Sequence, residues 1–223
     1  MRVEIWTDIA CPWCYIGKAR FERALAAFEH RDHVEVVHRS FELNPKAEDG
    51  TTPIIDAVAA QYGRTRGQQV AREEYAASEA RAEGLGFLVG ARVHGNTFDL
   101  HRLLHFAKSR GVQVELMNLA FQVNFAEERS IHDKETLRSL AVEVGLDDAE
   151  VREVLADADV YAKEVRADER QAAELGAGGV PCFVLDRQYG VSGLQPVELF
   201  GRALDQAWRN RPAARQRHPD TAA

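Results

Sequence analysis

This sequence predicts an α/β chain with sheet-forming segments at its two ends and an all-helical block between them. Three observations carry that expectation. Val3–Thr7 and Val34–Phe41 read as strands, rich in β-branched and aromatic residues, on either side of one helical run. From Thr52 to Leu175 the signals are almost only helical. After them, Pro181–Leu185 and Tyr189–Val191 read as two short strands before a last helix.

The elements follow in order. The first helix runs from Pro12 to about Glu29, with Ile16, Phe21, Leu25 and Phe28 near one stripe and Gly17 as a local weakness. Thr52-Pro53 opens a helix to about Tyr62. Arg66 to Glu83 is a second, Arg- and Glu-rich and read as a solvated face, closed by Gly84. Asn96 or Thr97 caps a third, ending before Gly111, and Val114–Glu127 is a fourth. Asp133 caps a fifth, Asp147 a short sixth, and Val160–Leu175 is a seventh, stopped by Gly176. Asp186-Arg187-Gln188 suggests a hairpin, and Pro196 at a first helical position opens the final helix to about Asn210. The order β-α-β, helices, β-β-α is that of a thioredoxin fold interrupted by a large all-helical insertion. Residues 1–50 and 177–210 would form the thioredoxin-like domain, 51–176 the insertion, and 211–223 a disordered tail.

Composition narrows the function classes. The chain has 223 residues, 45% of them hydrophobic, and a formal charge of −7. A nucleic-acid partner would call for a basic face, so none is expected. No apolar run reaches the length of a membrane span, and Met1-Arg2 leads straight into the first strand without a signal-peptide pattern. The expected compartment is cytoplasmic, where a cycling dithiol is expected in preference to a structural disulfide.

The chemistry-bearing motif is Cys11-Pro12-Trp13-Cys14, placed between the first strand and the first helix. A sulfur at a helix start faces unsatisfied N–H groups and the positive end of the helix dipole, which favour a thiolate. The thiolate is the form that attacks disulfides. A second sulfur three residues on lies on the same helix face and can resolve the mixed disulfide. Half of a zinc site is the alternative, but zinc takes about four ligands. The chain has one further cysteine, Cys182, and its histidine pairs His94/His101 and His101/His105 lie far away in sequence. No metal is therefore expected. Downstream, Gly178-Gly179-Val180-Pro181 stands just before the third strand, where a cis-proline loop would expose the Val180 backbone beside the sulfurs for an extended substrate.

The chain resembles the DsbA-like proteins of the FrnE type. The resemblance rests on Thr7-Asp8 with CPWCYIGK (Cys11 to Lys18), SFELNP (Ser40 to Pro45), NTFDLHRL (Asn96 to Leu103), GGVPCFV (Gly178 to Val184) and SGLQP (Ser192 to Pro196). It implies thiol–disulfide oxidoreductase chemistry, with Cys11 as nucleophile, Cys14 as resolving thiol and Pro181 as cis-proline. It also suggests that Asn96 and His101 approach the site as substrate-binding residues, with His101 as an acid or base or as a packing residue. Two positions depart from the pattern. Leu100 replaces a small residue and is expected to reshape the groove wall. Cys182 replaces an aromatic and reads as a small buried hydrophobe. His105 and Phe106 read as insertion core or rim. Asp8 reads as a cap of the turn, with proton transfer as the alternative.

Pro12 and Trp13 are active-site support, and uncharged Trp13 predicts a less oxidising dithiol than a histidine there would. The leading expectation is disulfide exchange with a protein or small-molecule substrate and a redox-recycling partner, without an organic cofactor. A second is a glutathione-dependent isomerase or transferase, built like a hydroxychromene-carboxylate isomerase or a kappa-class glutathione transferase, with glutathione as co-substrate. Such enzymes need no second active-site cysteine, and the intact Cys14 favours the first. A third is a non-enzymatic chaperone using the groove.

Overall fold

A computed structural model describes residues 1–48 and 51–211. The tail expected from residue 211 lies, beyond Arg211, outside the described residues. Four strands form one sheet in the order β2-β1-β3-β4. They are β1 (Arg2–Thr7), β2 (Glu35–Ser40), β3 (Cys182–Leu185) and β4 (Tyr189–Ser192). β1 is central, parallel to β2 with Arg2 opposite Glu35, and antiparallel to β3 with Trp6 opposite Cys182.

The two-residue alternation of a strand separates the sheet's faces. Val3 and Ile5 join Phe183 and Leu185 on one face. That face is covered by α1 (Pro12–Ala27), its C-cap Phe28 and α9 (Val197–Arg209), through Phe21, Phe28, Phe200 and Leu204. Trp6, Cys182 and Val184 lie on the other, against Ala172 of α8 (Ala162–Glu174). Pro196 stands at the N-cap of α9, one residue before the helix, because its extended backbone precedes the first helical residue.

Between β2 and α8 come α2 (Ile54–Gln61), α3 (Arg66–Ala82), α4 (Phe98–Ser109), α5 (Gln113–Ala126), α6 (Lys134–Glu143) and α7 (Asp148–Ala156). Asp133 and Asp147 cap α6 and α7 by accepting backbone N–H bonds from Thr136 and from Ala149 and Glu150. α3 corrects the solvated-face reading. Ala76, Ala77 and Ala80 are buried against the other helices, and Gln69 and Glu73 are buried with them. Small residues on that stripe let the helix approach closely, and the charges that dominate its composition belong mostly to the outer face. Leu100 is also buried, packed in the helical core and absent from the groove wall, so it does not reshape that wall.

A buried polar hub ties α8 and α4 to the sheet. The Asp168 carboxylate accepts from Arg39 Nη1 at 2.9 Å and the Ser40 N–H at 2.9 Å, and His105 Nε2 lies 3.1 Å away. Trp6 Nε1 donates to the Asp168 carbonyl at 2.8 Å. Burial alone would raise the Asp168 carboxyl, yet His105, the Ser40 N–H and Arg39 hold it below its ordinary value. Arg39 also donates to Glu4, which Arg187 reaches from the β3–β4 turn.

His38 on β2 is buried, with no hydrogen-bond partner for Nδ1. Burial, helped by Lys18 and Lys108, lowers it to about 4. An unfolded imidazole titrates near 6.5, so the unfolded chain gains the extra proton as pH falls between these values. Stability should therefore fall by about 3 kcal/mol from this one group between pH 7 and pH 4. Urea unfolding across that range should show a shallower loss in His38→Leu than in the wild type; equal slopes would contradict the assignment.

Candidate active site

Cys11 is the N-cap of α1, in extended backbone, with Pro12 at the first helical position. Its carbonyl accepts the N–H groups of Cys14 and Tyr15 at 3.1 and 3.3 Å, so the first turn closes on Cys11 itself. Both motif cysteines are free thiols and almost fully buried. The Val180–Pro181 peptide bond is cis, and the Cys11 thiol points to the Val180 carbonyl at 3.7 Å. Gly17 explains itself here: a Cβ at that position would stand 3.2 Å from Pro181 Cγ, closer than most such contacts, so glycine lets the helix lie against the proline loop without pushing it away.

Cys11 opens into a groove of about 380 Å³. Pro12, Trp13 and Asp8 form one side, Gly178 to Val180 another, and α2, α3 and the segment before α4 the third, through Ile54, Tyr62, Arg72, Glu73, Arg92 and His94. Trp13 packs its ring 5.9 Å from that of Tyr75 on α3. The insertion grips α1 and the turn before it. Tyr15 stacks on Phe121 and Phe125 at 5.3 and 5.1 Å, Arg20 binds Glu79 and Glu83, and Asn124 donates to the Ile9 carbonyl at 3.0 Å.

The two thiols differ. Cys14 lies behind Cys11, away from the groove. Burial pushes the Cys14 thiol well above its ordinary value; Cys11 and the negative charge of Asp8 add to the rise. Burial likewise raises Cys182, which lies on the α8 face of the sheet beside Trp6 and Val184.

Asp8 caps its own turn, accepting from the Ala10 N–H at 3.1 Å, and ties down the loop after β2 by accepting from the Leu43 N–H at 2.7 Å. Burial would raise its carboxyl, but His101 and these N–H groups hold it low. His101 is buried 3.6 Å behind Asp8 and does not line the groove. Asn96 does not line it either. Its Oδ1 accepts from the Phe98 N–H at 2.7 Å and its Nδ2 donates to Glu42 at 3.0 Å, pinning the start of α4 to the loop after β2. The structure thus gathers Cys11, Pro12, Trp13 and Val180 around the groove, with Cys14 and Pro181 directly behind, and holds Asn96 and His101 in the supporting layer.

Arg92, Glu73 and His94 line the groove and are not among the site residues read from the sequence. Arg92 and Glu73 form a buried ion pair in the wall, with two contacts of 2.9 Å. His94, half-buried and 3.3 Å from the Asn44 amide, is lowered by burial and by His132. Neither Arg92 nor His94 belongs to a recognisable local motif, since both sit in an irregular segment that only the fold brings to Cys11. Among the described residues no cluster of three metal-ligating side chains occurs, and no helix is long and apolar enough to cross a membrane.

The asymmetry of the thiols makes a prediction. Iodoacetamide at neutral pH should label Cys11 first, with Cys14 and Cys182 reacting fully only after denaturation. Peptide mapping of timed samples checks this, and labelling of Cys14 ahead of Cys11 would reverse the assigned roles.

Comparison with known proteins places this geometry. The Bacillus subtilis protein YwbO is 27% identical over 207 residues, covering 92% of this chain and 96% of its own. A probable DsbA oxidoreductase from Streptomyces coelicolor, solved by crystallography, is 56% identical, with a TM-score of 0.93 over 100% of this chain and 98% of that one. A solved 2-hydroxychromene-2-carboxylate isomerase shares the fold at 14% identity, with a TM-score of 0.70 over 94% of this chain and 97% of its own. The profile of the DSBA-like thioredoxin domain matches residues 2–205, and the chain belongs to that family.

Proposed function

We propose that this protein exchanges disulfides through the Cys11/Cys14 dithiol. The observation that carries the reading is the groove-facing Cys11 against the Val180 carbonyl, with a buried second thiol behind it. Cys11, as thiolate, attacks one sulfur of a substrate disulfide. A Cys11–substrate bond forms, the substrate S–S bond breaks, and the departing thiolate takes a proton. Cys14 then gives up its proton and attacks the Cys11 sulfur. The Cys11–Cys14 disulfide forms and the second substrate thiolate leaves. The substrate has gained two electrons and the dithiol has lost them. A thiol donor returns the pair to its reduced form, and glutathione is one candidate. In reverse the same steps oxidise a substrate dithiol.

The Val180 N–H has no hydrogen-bond partner among the described residues, which leaves it available to an extended substrate strand. The open groove and its aromatic rim, Trp13 and Tyr62, suit a peptide segment carrying a cysteine. No organic cofactor enters these steps, and a cytoplasmic setting fits a pair that cycles.

The decisive variant is Cys14→Ser. It should accumulate Cys11-linked mixed disulfides and lose insulin reduction by two orders of magnitude or so, about the effect of removing a group that acts in every turnover. Non-reducing gels with mass identification read the adducts. No insulin reduction by the wild type, together with glutathione-dependent isomerisation that survives in Cys14→Ser, would favour the isomerase reading, which needs no second active-site cysteine.

A further inference from the structure

We propose that the buried Arg92–Glu73 pair tunes the reactivity of Cys11, Arg92 raising it and Glu73 restraining it. The inference rests on the dithiol reading above and supplies what the motif lacks. Pro12 and Trp13 carry no charge, so a counter-charge for the Cys11 thiolate must come from outside the tetrapeptide.

Arg92 is 7% exposed and lines the groove with Cys11. Its Nη2 donates to both Glu73 oxygens, whereas Nη1 is buried and has no hydrogen-bond partner. A guanidinium held only for structure would have its buried donors filled, because each unfilled one costs about 1–3 kcal/mol. The cation lies 4.5 Å over the Phe125 ring and 5.0 Å over Phe87, an apolar bed in which charges are felt at a distance. Burial works against the Arg92 charge, while Glu73 and Cys11 work for it. Arg92 and Cys11 line the same groove, so a negative charge forming on the sulfur faces this buried cation.

The other charges about Cys11 divide by sign. Asp8, paired with His101 from α4, opposes the thiolate, as does Glu73. Half-buried Arg64 and exposed Arg72 support it from the rim, where water screens them. His94 is held toward its neutral form, and the Cys14 thiol stays protonated behind. Arg92 is therefore the one buried cation lining the groove among the described residues. Since stabilising the thiolate stabilises the reduced pair, Arg92 also makes the dithiol a stronger oxidant.

Arg92→Met and Glu73→Gln break the same ion pair, and the proposal gives them opposite signs. Timed alkylation of the full-length reduced protein at fixed pH, mapped to Cys11 by mass spectrometry, should slow by about threefold or more in Arg92→Met and quicken by about threefold in Glu73→Gln. Arg92→Lys keeps the charge and should stay near the wild type, which covers the case in which Arg92→Met does not fold. A shift of both charge-removing variants in the same direction marks a structural role and overturns the proposal. So does an unchanged rate in a folded Arg92→Met. If wild-type Cys11 exchanges with disulfides while these rates stay flat, only this inference fails. If it exchanges with none, the function reading fails and the alkylation rates still report on Arg92.

Discussion

The antiparallel pairing of β1 with β3 is the constraint on which the rest depends. It sets Trp6 opposite Cys182, joining the first strand to one that follows the entire helical block. The chain leaves β1 toward Cys11 and enters β3 from Val180-Pro181, so the register of this one ladder brings the thiol and the Val180 carbonyl together. A shift by one residue would turn every side chain of the strand to the other face and move Cys11 off its partner. The ladder is fixed by what it buries: Val3, Ile5, Phe183 and Leu185 on one face and Trp6 and Val184 on the other.

The helical block is continuous with the active site. Ile9, Cys11, Cys14 and Ile16 share a hydrophobic core with α3, α4 and α5, so the dithiol is embedded in the seam between sheet and helices. That position makes the site dry, which raises Cys14 and gives buried charges their reach. It also explains the polar links across the seam. Asn124 holds the Ile9 carbonyl, Asp8 holds the Leu43 N–H, and Asp168 joins α8 to β2. Each fills a backbone group or charge that burial would otherwise leave costly.

Much of this was legible in the sequence, for identifiable reasons. The tetrapeptide and the Gly-Val-Pro loop are local signals, and the helices capped by Asp133 and Asp147 announce themselves by chemistry within three residues. What escaped depends on long-range placement. Arg92 and His94 acquire meaning only when the irregular segment before α4 is laid across Cys11. Glu73 looked like one more charge on a solvated helix, because its buried partner lies 19 residues away in the chain. Asn96 and His101 were drawn to the site by a motif that in fact builds its support: one pins a loop and the other backs Asp8. Gly17 is a weak position in the helix by propensity alone, and its use lies in the Pro181 ring against it, a contact 164 residues away in the chain.

We propose at the centre of this account that Cys11 and Cys14 form one reversible redox couple, Cys11 facing the groove and Cys14 buried behind it. Equilibrating the protein across a graded series of reduced and oxidised thiol buffer, then blocking free thiols and mapping the linkages, measures this directly. A single two-electron transition with a Cys11–Cys14 disulfide and Cys182 free throughout is the predicted result. The absence of that disulfide at every poise, or a stable bond to Cys182 in its place, would contradict it.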